Sequence, residues 1–184
     1  GHKPHDLLEA SPLAKVPFIR TEQGSLSESS ATVEYLEALA PTPPLLPTDP
    51  WAAAKVRALA LYIDLHLELV ARALYTQAFF GGTISESQQA RVRKLLDRNI
   101  VAFGRLAKFS PYVAGDMFTI ADCGAYVSLP LVAMSSKTVF GDDLLLEAAY
   151  EATGAWEKLG LLLERRMKST KNAAEKRELR LRFA

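Results

Sequence analysis

Cysteine is almost absent. Cys123 is alone among 184 residues, which excludes an internal disulfide and fits a reducing compartment, the cytoplasm. Histidine is scarce as well. Three scattered histidines and one cysteine offer no converging ligand set, so no metal site is expected. An excess of one charge is missing too: 22 Lys and Arg stand against 21 Asp and Glu. Bulk electrostatics thus argues neither for nor against an acidic partner, and no nucleic acid is expected. Long apolar runs are lacking. The longest uncharged stretch lies between Asp122 and Lys137 and is broken by Pro130. It is too short to span a bilayer, so it reads as a buried helix, apolar on all sides and central in its domain, and no membrane association is expected. A signal peptide is not seen. There is no initiator Met, and the chain opens inside the amphipathic pattern Asp6-Leu7-Leu8-Glu9. It therefore reads as a fragment, or as a chain whose upstream part is not represented.

What is present is ordinary globular usage, 49% hydrophobic and 23% charged, enough for one or two compact domains. Residues 5–10 read as the end of a helix stopped by Ser11-Pro12. Val16 to Thr21 alternates like a strand, Glu22-Gln23-Gly24 reads as a turn, and Ser25-Leu26 returns as the second strand of a hairpin. From Glu28 the period changes to that of a helix, which ends before Pro41. Residues 41–50, PTPPLLPTDP, hold five prolines and read as a stiff, extended linker belonging to neither neighbour. Helical periodicity follows. One stripe runs through Val56, Leu59, Ile63, Leu67, Val70 and Leu74, another through Val92, Leu95, Leu96, Ile100, Phe103 and Leu106. Ser85 with Gln88, and Thr119 with Asp122, have the spacing of capping boxes. Leu144 to Met167 reads as helix with a break near Gly154. From Glu164 onward the tail carries eight basic residues against three acidic ones and reads as a solvated run. The boundaries are thus 1–40 for a small α/β domain, 41–50 for the linker, 51–168 for an all-helical domain and 169–184 for the basic tail.

Two short motifs carry chemistry. In Leu13-Ala14-Lys15-Val16-Pro17-Phe18-Ile19 a proline sits at the start of a strand. A cis Val16–Pro17 bond would turn the backbone of Val16 outward, where an extended peptide could pair with it. The alternative is an edge-blocking proline. In Ser27-Glu28-Ser29-Ser30, at a helix start, free N–H groups and the Ser29 hydroxyl suit a carboxylate, and Glu28 suits an ammonium. The alternative is a plain serine N-cap. Taken together, the motifs describe one ligand: an extended peptide with an amino-acid head.

SPLAKVPFI, GSLSESSATVEYLE, PPLLPTDP and FTIADC resemble the glutathione S-transferases, over roughly residues 2–165. The resemblance is to a theta-like bacterial member lacking the N-terminal β-α-β segment. It implies a partial thioredoxin-like N-terminal domain, residues 1–40, followed by an all-helical glutathione-transferase C-terminal domain. By resemblance, Val16 would pair with the cysteinyl unit of glutathione beside a cis Pro17. Glu28 and Ser29 would hold the γ-glutamyl head, and Lys15 the opposite carboxylate. His2 and Lys3 match an upstream His-Lys pair of the theta-like members, although a Gly-His start also fits a purification remnant. Thr119 and Asp122 would form the family's folding-related capping box.

The implied activity is conjugation of the glutathione thiol to a small hydrophobic electrophile, a detoxification chemistry, by a homodimer. Tyr62, His66 and Tyr126 are the candidates for the second-substrate pocket, His66 equally reading as a polar-face residue between Asp64 and Glu68. The catalytic Ser, Tyr or Cys belongs to the upstream segment and has no counterpart in this sequence. Cys123 reads as a packed thiol. The competing reading is a non-catalytic binding or scaffold protein on the same fold.

Overall fold

The computed structural model describes residues 5–145, with the side chains of His5 and Asp6 excepted. The expected helix beyond Leu145, its break near Gly154, the basic tail, and His2 and Lys3 lie outside the described residues. The chain falls into two compact units, one running through Ala54 and the other from Lys55 onward.

The first unit is α/β. Helix α1 (His5–Ala10) leads to a hairpin of β1 (Phe18–Thr21) and β2 (Gly24–Ser27), followed by α2 (Ser29–Leu39). The antiparallel register runs from Phe18 opposite Ser27 to Thr21 opposite Gly24. Gly24 takes φ 130°, which a side chain would resist, and the Thr21 hydroxyl donates to its carbonyl at 3.1 Å. Both helices pack on the hairpin. Residues 41–50 depart from the expected independent linker. Glu37 Oε1 on α2 accepts from the N–H groups of Leu45 (2.7 Å) and Leu46 (3.1 Å), and Leu46 is buried. A carboxylate taking two backbone donors ties the proline stretch back to α2. Asp49 then caps the next helix, its Oδ2 accepting from Ala52 N at 2.7 Å.

The second unit is helical. Helix α3 (Pro50–Tyr62), which begins in the first unit, continues through a π-helical turn (Ile63–Glu68), α4 (Leu69–Ala71), a 3-10 turn (Arg72–Leu74) and α5 (Tyr75–Phe79). Two 21-residue helices follow, α6 (Glu86–Leu106) and α7 (Ile120–Phe140). The expected stripes supply half of the buried apolar residues of this unit: Val56, Leu59, Ile63, Leu67, Leu74, Val92, Leu96, Ile100 and Phe103. Val70 and Leu95 are half-buried and Leu106 is exposed, because the stripe runs out where α6 ends. Nor is α7 enclosed on all sides. Ala121, Ala125, Leu129 and Val132 face inward, whereas Tyr126, Val127 and Met134 are exposed. Among the described residues no helix is long and apolar enough to cross a membrane.

The two capping boxes differ. Ser85 Oγ accepts from Gln88 N at 3.2 Å, but the Gln88 side chain reaches the Ala73 carbonyl instead of returning to the helix start. At α7 the box closes. Asp122 Oδ2 accepts from Thr119 N (2.8 Å) and Thr119 Oγ1 (2.9 Å), and Oδ1 accepts from Val113 N (2.7 Å). Thr119 and Asp122 are both buried. One carboxylate thus serves the helix start and also the loop before it, where Phe109 holds a φ of 48° while buried. A buried donor left unpaired costs about 1–3 kcal/mol. Asp122→Ala leaves two such backbone N–H groups and a hydroxyl behind, so a loss of about 2–4 kcal/mol is expected. Urea unfolding measures it. A midpoint equal to the parent's would show that the box contributes nothing.

Candidate functional site

The open end of the hairpin gathers the residues that the sequence singles out in the first unit. Phe18 pairs with Ser27 as the last rung, so Val16-Pro17 and Glu28-Ser29 flank the same end of one ladder. The Val16–Pro17 peptide bond is cis, as the motif leads one to expect. Lys15, Val16 and Pro17 are exposed and lie ahead of β1. Ser11, itself buried, fixes the approach: its Oγ accepts from Lys15 N at 3.1 Å and its carbonyl from Ala14 N at 2.7 Å.

Glu28 has φ 74° and ψ 116° and occupies the N-cap position of α2 without a side-chain capping bond. A left-handed φ is uncommon for a residue with a Cβ and costs about 1–2 kcal/mol. Ser29 is therefore the first helical residue, not the cap, which corrects the plain N-cap alternative. The first intrahelical bond runs from Thr32 N to the Glu28 carbonyl at 3.0 Å. Ahead of it the N–H groups of the first turn have no intrahelical acceptor. No acidic side chain lies in that turn, and Glu28 and Ser29 are exposed. The arrangement offers N–H donors, a hydroxyl and a carboxylate together. It suits a group that carries both an anion and a cation.

In the second unit, Tyr62 and His66 are brought together, their ring centroids 4.8 Å apart. Tyr62 also stacks on Phe103 at 6.4 Å and donates its hydroxyl to the Asn99 carbonyl at 3.1 Å. Burial raises its pKa, against a smaller lowering from Arg98, so it stays a neutral phenol at ordinary pH. His66 is exposed on the π turn, and Tyr126 stands on the exposed face of α7. Three residues of this region were not legible in the sequence. Asp64 is half-buried, and its carboxyl is pushed up by burial first and then by Glu68. Glu68 is buried and accepts from Arg72 and from the Tyr75 hydroxyl. Asn99 is buried beneath the π turn. Only an unexplained polar residue on an otherwise apolar stripe marks Asn99 in advance.

Cys123 corrects the packed-thiol expectation, because it is exposed on α7. Partial desolvation and then the neighbouring Asp122 raise its pKa, which keeps it a thiol and a weak nucleophile. Among the described residues no group of His, Cys, Asp or Glu is arranged to hold a metal ion.

Comparison with known proteins agrees with this layout. The family model described as glutathione S-transferase, N-terminal domain matches residues 1–44. A glutathione S-transferase of Pseudomonas putida is 37% identical over 147 residues, 80% of this chain and 67% of that protein. A probable maleylacetoacetate isomerase of Caenorhabditis elegans is 36% identical over 137 residues, 71% of this chain and 60% of its own length. Among solved structures, a Methylobacterium radiotolerans glutathione S-transferase in complex with glutathione sulfonate superposes with a TM-score of 0.63 at 24% identity, covering 92% of this chain and 74% of that one. The fold is accordingly a partial thioredoxin-like unit followed by an all-helical one, and the chain belongs to the glutathione S-transferase family.

Proposed function

We propose that the open end of the hairpin binds glutathione and that the protein conjugates its thiol to a small hydrophobic electrophile in the cytoplasm. The observation that carries this reading is Glu28, held at a left-handed φ without a side-chain capping bond and exposed beside an exposed Ser29. Backbone strain of this kind persists at sites where it aims a functional group. The γ-glutamyl head of glutathione has an ammonium for Glu28. Its carboxylate goes to Ser29 and the first-turn N–H groups. Val16, outside the β ladder, is free to pair with the cysteinyl backbone, and Lys15 matches the glycine carboxylate. In the reaction the thiol loses its proton, and the sulfur forms the new bond to the electrophilic carbon. The group that stabilises the thiolate is not assigned to any residue of this sequence. Tyr62, His66 and Tyr126 are the residues proposed to meet the second substrate, Tyr62 through its ring because its hydroxyl is engaged.

Glu28 permits a test that separates binding from folding. Glu28→Gly keeps the backbone conformation, so its unfolding midpoint should equal or exceed the parent's. Its glutathione affinity by calorimetric titration should fall about ten- to a hundredfold, as should that of Ser29→Ala. Parent affinity in both variants would refute the assignment.

A homodimer is proposed as the working assembly. Leu61, Leu65 and Leu69 are about half exposed at every fourth residue along one run of helix, an apolar stripe of the sort that interfaces cover. Leu65→Glu should convert a dimer into a monomer by light scattering at micromolar concentration. A parent chain that is already monomeric would overturn the proposal.

A further inference from the structure

We propose that Asn99 is a positioning residue for Tyr62 and His66 of the second unit, acting through the π turn at Ile63–Glu68. The inference rests on the reading of Tyr62 and His66 as residues that meet the second substrate. A π turn bonds each N–H to a carbonyl five residues back, as Leu69 N does with the Asp64 carbonyl. It interrupts the regular α-helical ladder and leaves a carbonyl in need of a donor. Here the His66 carbonyl, within the turn, accepts from Asn99 Nδ2 at 2.7 Å. A second bond ties the same stretch to Asn99, because Tyr62 Oη donates to the backbone carbonyl of Asn99 at 3.1 Å. Asn99 Oδ1 accepts in turn from Arg98 Nε at 3.2 Å.

These partners define which end of the amide is which. The atom facing a carbonyl must be the donor, and the atom facing a guanidinium must be the acceptor. Asparagine is the fitting side chain for both tasks at this length. Aspartate would set a carboxylate against the His66 carbonyl, and leucine would leave that carbonyl unpaired. The clamp holds the first part of the turn: one bond enters at Tyr62, just before it, and the other at His66, within it. Asp64 and His66 lie between or at these two anchors. Asp64 faces α7 at Gly124, where a Cβ would stand 3.8 Å from Asp64 Oδ1, and His66 is turned outward against the Tyr62 ring. Without the Asn99 donor the turn can relax toward an ordinary α-helical ladder, which would rotate both side chains about the helix axis.

Nuclear magnetic resonance of the full chain tests this without requiring turnover. His66 is one of three histidines, and His66→Gln assigns its ring protons. In Asn99→Asp, below its unfolding temperature, the His66 ring signals should move. Amide exchange should quicken at least tenfold over residues 63–70, with protection of Ile100 and Leu129 retained. A residue that merely fills the core would instead lower protection throughout and leave the His66 signals in place, and that result would overturn the proposal. If Asn99→Asp does not fold, Tyr62→Phe removes one bond of the clamp and keeps the ring. It must also raise exchange over residues 63–70, and unchanged exchange there would overturn the proposal equally. A chain that shows the clamp but no conjugating activity would count against the proposed reaction and not against the clamp.

Discussion

The backbone donors at a helix start must be answered by something, and this structure answers them in three ways. At α7 the Asp122 carboxylate takes Thr119 N, Thr119 Oγ1 and Val113 N, all in a buried setting. At α6 the Ser85 hydroxyl takes one donor, and Gln88 is released to bind elsewhere. At α2 no side chain caps the start at all. The first solution builds a core, the second joins two elements, and the third leaves the start of α2 exposed at Glu28 and Ser29. The same local chemistry thus builds structure where the protein answers its own donors, and where it does not, the donors are what the proposed function uses.

Conformational strain follows the same division. Phe109 is held at a left-handed φ but is buried and in edge contact with Phe103 at 6.1 Å, so packing accounts for it. Glu28 has the same sign of φ with its side chain exposed and no capping bond. This asymmetry distinguishes it from an ordinary turn residue and gives its carboxylate the functional reading.

Much of the first unit was legible because its determinants are local. The hairpin follows from alternation and a glycine turn, and Pro17 and Glu28 are adjacent in the fold because one short turn separates the strands that end there. The second unit was legible only as far as its periodicity reached. A 3.6-residue pattern finds Val56, Leu59, Ile63 and Leu67, yet it cannot show that a π turn lies among them, since the turn depends on a donor 33 positions away at Asn99. Cys123 was misjudged for a related reason. The apolar composition of α7 suggested burial on every side, whereas burial is set by which neighbours exist. The proline stretch was read as independent because Glu37, which holds it, is an unremarkable helix glutamate in sequence.

The contrast bears on specificity. A peptide with a charged head can be recognised by backbone and by two adjacent side chains, so its site condenses into a motif. An apolar electrophile offers few polar handles and must be recognised by shape, which is a property of packed helices and of their irregularities. In this chain the irregularity is the π turn, and what holds it is not a surface residue but a buried amide with both of its ends committed. On the proposed function, the second substrate can therefore diversify by changes in the turn and its clamp that leave the hairpin unchanged.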